Sequence, residues 1–244
     1  MRPDASTKIA TVTPRRGANP VIIGGVVAVL VVVAVIVAIL LGNSGKSGPA
    51  SGSAVPAGVV GGTGGGILVN AASAKSNAPT LDVYEDFQCP TCAQLEKAMG
   101  EQIASLASSG QVKLVIHMMS FLDLNVHNDS SKRSANAAAC AADAGKFLPY
   151  HAAVFAAQPA KEGDGYTDAQ LTQFAGTAGI TGPALATWQK CTSSGQHDSY
   201  VADVETNSGK AGVTGTPTVK LNGNDITRTL TTPESLAAAV KNAS

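Results

Sequence analysis

EDFQCPTCAQLEK, residues 85–97, sets two cysteines three positions apart with only proline and threonine between them. A Cys-x-x-Cys pair can hold zinc, close a structural disulfide, or exchange electrons as a reversible dithiol. The preceding stretch, TLDVYEDF (80–87), is rich in β-branched and aromatic residues and predicts a strand. After Cys89, the apolar residues Leu95, Ala98, Met99, Ile103 and Leu106 recur at helical spacing. The pair therefore sits where a strand ends and a helix begins. Cys89 falls at the helix N-terminus, where unpaired backbone N–H groups and the helix dipole favour an anion. Thiols in such settings have pKa values of roughly 3.5–7.5 instead of about 8.5. Pro90 at the first helical position sacrifices no hydrogen bond. Cys92 lies inside the first turn, nearer the core. The expectation is an exposed, activated sulfur at Cys89 and a shielded, resolving sulfur at Cys92, as dithiol exchange requires.

The zinc reading needs four ligands, commonly as two close pairs. The other cysteines, Cys140 and Cys191, are 51 residues apart, with no neighbouring Cys or spaced His partner. No metal is expected. Since Cys89 and Cys92 are already neighbours, Cys140 is expected to bridge to Cys191 and staple two helices, with a second redox-active pair as the alternative.

Working outward, QVKLVIHMMSF (111–121) predicts a second strand. Helical segments follow near 129–146, 148–158, 167–179, 183–194 and 199–210, with Thr167 as a cap. TPTVKLNG (216–223) returns to strand, Asn222–Gly223 signals a hairpin, and NDITRTL (224–230) is expected to pair back. A closing helix starts at Pro233 with Thr232 as its cap. The order β-α-β, helical insertion, β-β-α predicts a mixed α/β sheet. In VTGTPTVKLNG (213–223), a proline opens a strand although it cannot donate to a ladder. A cis Thr216–Pro217 bond would explain it and leave the preceding backbone free to pair with an extended substrate; an ordinary trans proline at a strand start is the alternative.

Residues 21–41, VIIGGVVAVLVVVAVIVAILL, carry no charge and no polar side chain. At 1.5 Å per residue they span the ~30 Å hydrocarbon core. The run is longer than a signal-peptide apolar region of about 7–15 residues. An uncleaved anchor is expected, with residues 1–20 as a cytoplasmic tail because Arg15 and Arg16 precede the span. The Arg pair also fits a twin-arginine export signal. The C-terminal bulk is then expected to lie outside the cell membrane. Residues 42–66 hold ten Gly among 25 and predict a flexible tether. The 244-residue chain balances 17 basic against 17 acidic side chains, so charge gives no reason to expect nucleic-acid binding.

The strand, the Cys-Pro-x-Cys helix, the helical insertion (about 125–210) and the Gly-Thr-Pro-Thr strand resemble the DsbA-like branch of the thioredoxin superfamily. The resemblance covers nearly all of 67–244, and YEDFQCPTC and GVTGTPTVKLNG are its specific motifs. SANAAACAADAGKFLPYHAAVFAAQ (134–158) is similar to the family's first insertion helices, with Phe147, Tyr150, His151 and Phe155 as packing positions. The anchor and tether look like the membrane-bound actinobacterial, mycobacterial-type members. The resemblance implies a thioredoxin-like fold and a monomeric thiol-disulfide oxidoreductase without a cofactor. It implies exported protein thiols as substrates and a membrane VKOR-type or DsbB-type reoxidant. It implies Cys89 as nucleophile, Cys92 as resolving thiol, Thr216 and Pro217 beside the substrate, and Pro90 and Thr91 in the same contact surface.

Many relatives carry a buried acid six positions before the first Cys, where this chain has Val83. Glu85 shares the Val83 face of the strand and is the proton-transfer candidate; the plainer reading makes Glu85 and Asp86 solvated or capping residues. Threonine at position 91 lacks the charge a histidine would offer the thiolate, which predicts a less oxidising pair. An isomerase or reductase with the same site held reduced, and a non-catalytic tethered binding or chaperone module, are the competing functions.

Overall fold

The computed structural model describes residues 54–243. The expected tail and anchor, and residues 42–53 of the expected tether, lie outside the described residues. Among the described residues no helix is long and apolar enough to cross a membrane.

Five strands form one mixed sheet in the order β1-β3-β2-β4-β5. β1 is Ile67–Leu68, β2 Thr80–Glu85, β3 Lys113–Met118, β4 Thr218–Leu221 and β5 Asn224–Asp225. β2 and β3 run parallel, with Val83 opposite Ile116. They are joined by the crossover helix α1 (Pro90–Ser108), as parallel pairing demands. β4 lies antiparallel on the other side of β2, with Val83 opposite Val219. Alternation along β2 sends Leu81 and Val83 into the main core, while Tyr84 joins Met119 and Val213 in a smaller cluster. Side chains such as Leu81, Phe87 and Leu114 are fully enclosed. Each contributes roughly 1.5–3 kcal/mol by leaving water.

Six helices separate β3 from β4: α2 (Leu122–Val126), a short turn, and then α3 (Ser130–Asp143), α4 (Phe147–Ala156), α5 (Asp168–Thr177), α6 (Gly182–Ser193) and α7 (Asp198–Lys210). Thr167 caps α5 through a reciprocal pair with Gln170. The alanine-rich α3 is the centre of the insertion, because its small side chains admit neighbours closely. Trp188 of α6 packs on Tyr150 of α4 and donates its Nε1–H to the Ala137 carbonyl at 3.0 Å. Cys140 of α3 and Cys191 of α6 form a disulfide with Cα atoms 6.0 Å apart. The final helix, α8 (Pro233–Ala243), starts behind Thr232, whose Oγ1 accepts from Ser235 N at 3.3 Å, and returns to pack on α1.

Two expectations are corrected. Residues 54–66 are bound to the domain, not a free tether. Val59 bridges to Ile67, Tyr200 donates to the Gly65 carbonyl at 2.9 Å, and Ala57 N donates to Asp143 Oδ1 at 2.8 Å. The glycines here serve close approach. A Cβ on Gly64 would meet Asn207 and the Asp203 backbone at 2.5–2.6 Å, and one on Gly66 would meet Val115 and His117 at 2.5–2.7 Å. The second correction concerns NDITRTL, of which only Asn224–Asp225 pairs back across the Asn222–Gly223 turn. Thr227 then replaces the ladder: its hydroxyl accepts from Val219 N at 2.8 Å and donates to Asp225 Oδ1 at 2.6 Å, turning the chain into a 3-10 turn over Thr227–Thr229.

Candidate active site

The loop between β2 and α1 is fixed from several sides. Asp86 Oδ1 accepts from Gln88 N at 2.9 Å and from the Ser131 hydroxyl at 2.5 Å, and Oδ2 accepts from Leu122 N at 3.3 Å. Gln88 donates to Asp123, Asn128 and Ser131. Gln158 donates to the carbonyls of Phe87 and Cys89, and the Tyr166 hydroxyl also donates to Phe87 O. The helical insertion thus holds the cysteine loop through its backbone carbonyls. Asp86 is fully enclosed, and burial pushes its carboxyl up to about 7 despite three donors.

Cys89 occupies the cap position of α1, with Pro90 as the first helical residue. Both Cys89 and Cys92 are free thiols. The Cys89 sulfur lies 3.0 Å from Thr91 Oγ1 and 3.4 Å from the carbonyl oxygen of Thr216. The Thr216–Pro217 bond is cis. Thr91, Thr216 and the proline loop cover the sulfur, so Cys89 is only 6% exposed, against the expectation of an open thiol. Cys92 is 0% exposed. The sequence-predicted residues Cys89, Pro90, Thr91, Cys92, Thr216 and Pro217 therefore share one site, and Cys140–Cys191 stands apart inside the insertion.

The two sulfurs have opposite acidities. A hydrogen bond from the Cys92 thiol is the largest influence on Cys89; the contact with Thr216, the Thr91 hydroxyl and the Cys92 N–H add to it. Together they outweigh burial and bring Cys89 down to about 5. Burial first, and then the anion at Cys89, push Cys92 far above the ordinary thiol range. At neutral pH the pair is one thiolate and one thiol. Threonine at position 91 gives the thiolate a hydroxyl where it lacks a charge. Thr91→Ala should raise the Cys89 pKa by about 0.5–1 unit, from loss of a hydrogen bond worth about 1 kcal/mol. Thiolate absorbance near 240 nm, titrated on the reduced protein, reads it; an unmoved midpoint would remove Thr91 from the site.

Glu85 follows the Val83 face into the interior and is 0% exposed. Burial first, and then the Cys89 charge, push its carboxyl up to about 8, and Cys92 in turn feels its charge. His151 of α4 places Nε2 at 2.9 Å from Glu85 Oε2. Glu96 of α1 joins them, pushed up to about 7 by burial and then by Glu85. Sequence reading took His151 for a packing residue and passed over Glu96. A signal for Glu96 existed, since it lies four residues after Cys92 on the same face of α1. His151 could be assigned only once α4 was placed against β2. Chemically, the site offers a stable thiolate beneath the proline loop, a more deeply buried leaving-group sulfur, and a carboxyl able to exchange a proton near neutral pH.

Residues 72–242 match the family model described as Thioredoxin. No curated protein matches the sequence. Among solved structures, the reduced disulfide oxidoreductase DsbG of Mycobacterium tuberculosis is 30% identical, over 70% of this chain and 85% of that one, with a TM-score of 0.59. The reduced DsbA of the same organism is 30% identical over 70% and 90%, with a TM-score of 0.58. The thiol-disulfide oxidoreductase MdbA of Actinomyces oris, 24% identical over 79% and 93% with a TM-score of 0.65, shares the fold.

Proposed function

The chain belongs to the thioredoxin family, in its DsbA-like branch, and is a thiol-disulfide oxidoreductase; from that premise we propose that it works as an oxidase, donating its Cys89–Cys92 disulfide to exported proteins. The observation that carries this reading is the acidity split. A Cys89 thiolate stable at pH 7 makes the reduced form the favoured one, and a protein stable when reduced gives its disulfide away.

A substrate thiolate attacks Cys89 Sγ. The substrate–Cys89 bond forms, the Cys89–Cys92 bond breaks, and Cys92 leaves as a thiolate. Its enclosure makes that anion costly, and the Glu85 carboxyl supplies the proton. A second substrate thiolate then attacks the substrate sulfur of the mixed disulfide and releases Cys89 as a thiolate. The substrate gains one disulfide and the enzyme is left as a dithiol. Substrates dock as extended chains beside Thr216 and Pro217, with Pro90 and Thr91 on the same surface. The apolar span 21–41 anchors the monomer in the cell membrane with its N-terminus in the cytoplasm, and a membrane VKOR-type partner takes the electrons. Tethering raises the effective concentration of the two.

Acid quench of living cells followed by thiol alkylation tests the direction. The Cys89–Cys92 pair is expected to be mostly disulfide at steady state. A mostly dithiol pair would overturn the oxidase reading in favour of an isomerase or reductase.

A further inference from the structure

Each turnover moves a proton on or off Cys92, which has no exposed surface. Glu85 can exchange that proton but is itself enclosed, so the carboxyl must be recharged from somewhere. Its Oε2 meets His151 Nε2 at 2.9 Å, and its Oε1 has no N–H or O–H donor among the described residues. The other ring nitrogen, His151 Nδ1, faces Glu96 Oε2 at 3.9 Å. One carboxylate oxygen each of Glu85 and Glu96 and a His151 ring nitrogen all lie within 4.8 Å of one another. The Glu96 side chain is 19% exposed, and both it and His151 line a cavity of about 810 Å³ between α1 and α4 that reaches solvent.

We propose that His151 and Glu96 form the proton outlet of the active site, connecting Glu85 to water in this cavity. The inference rests on the reading of Glu85 as proton partner of Cys92. A neutral imidazole carries one N–H and one bare nitrogen, so it can accept a proton on one side while releasing one on the other. Burial keeps His151 neutral. The 3.9 Å step is too long for a hydrogen bond and is closed by one cavity water or a small turn of the Glu96 side chain. The titratable groups around the relay are Glu85 from β2, with Cys89, Cys92 and Glu96 from α1, and Lys97 and Glu101 of α1 at the cavity wall. On α4 itself the other titratable group, Tyr150, turns its hydroxyl to the Leu171 carbonyl. When the disulfide is donated, Cys92 takes the proton of Glu85. Glu85 then regains one from Glu96 through His151, and Glu96 from water. Reoxidation reverses the order, and no electron passes through the relay.

The reduced full chain, in detergent, is mixed with oxidised glutathione and quenched in acid at successive times. Resolution of the Cys89–glutathione mixed disulfide by Cys92 reports the deprotonation of Cys92. Glu85→Gln should slow it by about tenfold or more, and Glu96→Gln and His151→Asn severalfold to tenfold. Added formate or imidazole should restore the Glu96→Gln rate through the cavity, while the Cys89 thiolate midpoint stays near 5. Wild-type rates in Glu96→Gln and His151→Asn beside a slow Glu85→Gln would overturn the outlet and leave Glu85 standing. A normal Glu85→Gln rate would sink the Glu85 reading and the outlet with it. A slow Glu96→Gln that no small buffer rescues marks a structural effect and also overturns the outlet. Should His151→Asn fail to fold, the Glu96→Gln result decides.

Discussion

Cys92→Ala should lower disulfide-forming turnover by about 10³-fold or more while leaving Cys89 able to attack, so that mixed disulfides accumulate. The variant keeps the outer sulfur and loses the one that resolves the intermediate. Cys89→Ala should lower turnover as far but trap nothing, because Cys92 is completely enclosed and its thiol is held protonated by burial. The pair of variants separates the two functions that the geometry assigns. Non-reducing gels and mass spectrometry of the purified protein, after reaction with a disulfide substrate, give the readout. Adducts on Cys89→Ala and none on Cys92→Ala would reverse the assignment of nucleophile and resolving thiol. A second effect follows in Cys92→Ala. The Cys92 thiol is the largest influence holding Cys89 down, so its removal should raise the Cys89 pKa toward the ordinary thiol range. The trapped adduct should therefore form more slowly at pH 6 than the wild-type thiolate would react.

The parts of this site legible in the sequence are those fixed by local geometry. A strand ending just before Cys-Pro-Thr-Cys determines where the sulfurs stand on α1, and alternation along β2 sends Glu85 inward with Val83. The Thr-Pro step before β4 and the remaining cysteine pair were legible for a related reason: each breaks a rule of ordinary strands or leaves only one partner. What could not be read depends on contacts across the fold. Gly61–Gly66 has the composition of a linker, yet Gly64 and Gly66 are glycines because Asp203, Val115 and His117 lie against them. His151 reads as one more core residue between Phe147 and Phe155 until β2 places a carboxylate at its Nε2. The exposure of Cys89 was misjudged because its cover comes from Thr216, 127 residues further along. A helix N-terminus predicts a stabilised anion, but only the tertiary partner decides how open that anion is.

The stability of the reduced protein should depend on pH in a way that the oxidised protein's does not. Cys89 has a folded pKa depressed to about 5, below its unfolded value of about 9. A depressed acid contributes stability above its unfolded pKa and loses it as pH falls through the folded one. The loss on going from pH 7 to pH 5 should be about 1–2 kcal/mol, allowing for residual solvent screening. Once the disulfide forms, Cys89 no longer titrates and this slope is gone. Glu85, Asp86 and Glu96 act in the opposite sense. Their folded values are raised to about 8, 7 and 7, so their contribution is complete below the unfolded carboxyl range and is lost as pH rises through the folded values. Burial dominates those three shifts and is common to both redox forms, so most of their effect cancels in the difference. Urea unfolding of both forms between pH 5 and 8 would therefore show the reduced-minus-oxidised stability growing with pH. Redox equilibration with glutathione would show the enzyme becoming more oxidising by about tenfold over the same range, the same free energy read as an equilibrium constant. Parallel stability curves for the two forms would mean that Cys89 is not a thiolate at neutral pH, and the oxidase reading would lose the observation that carries it.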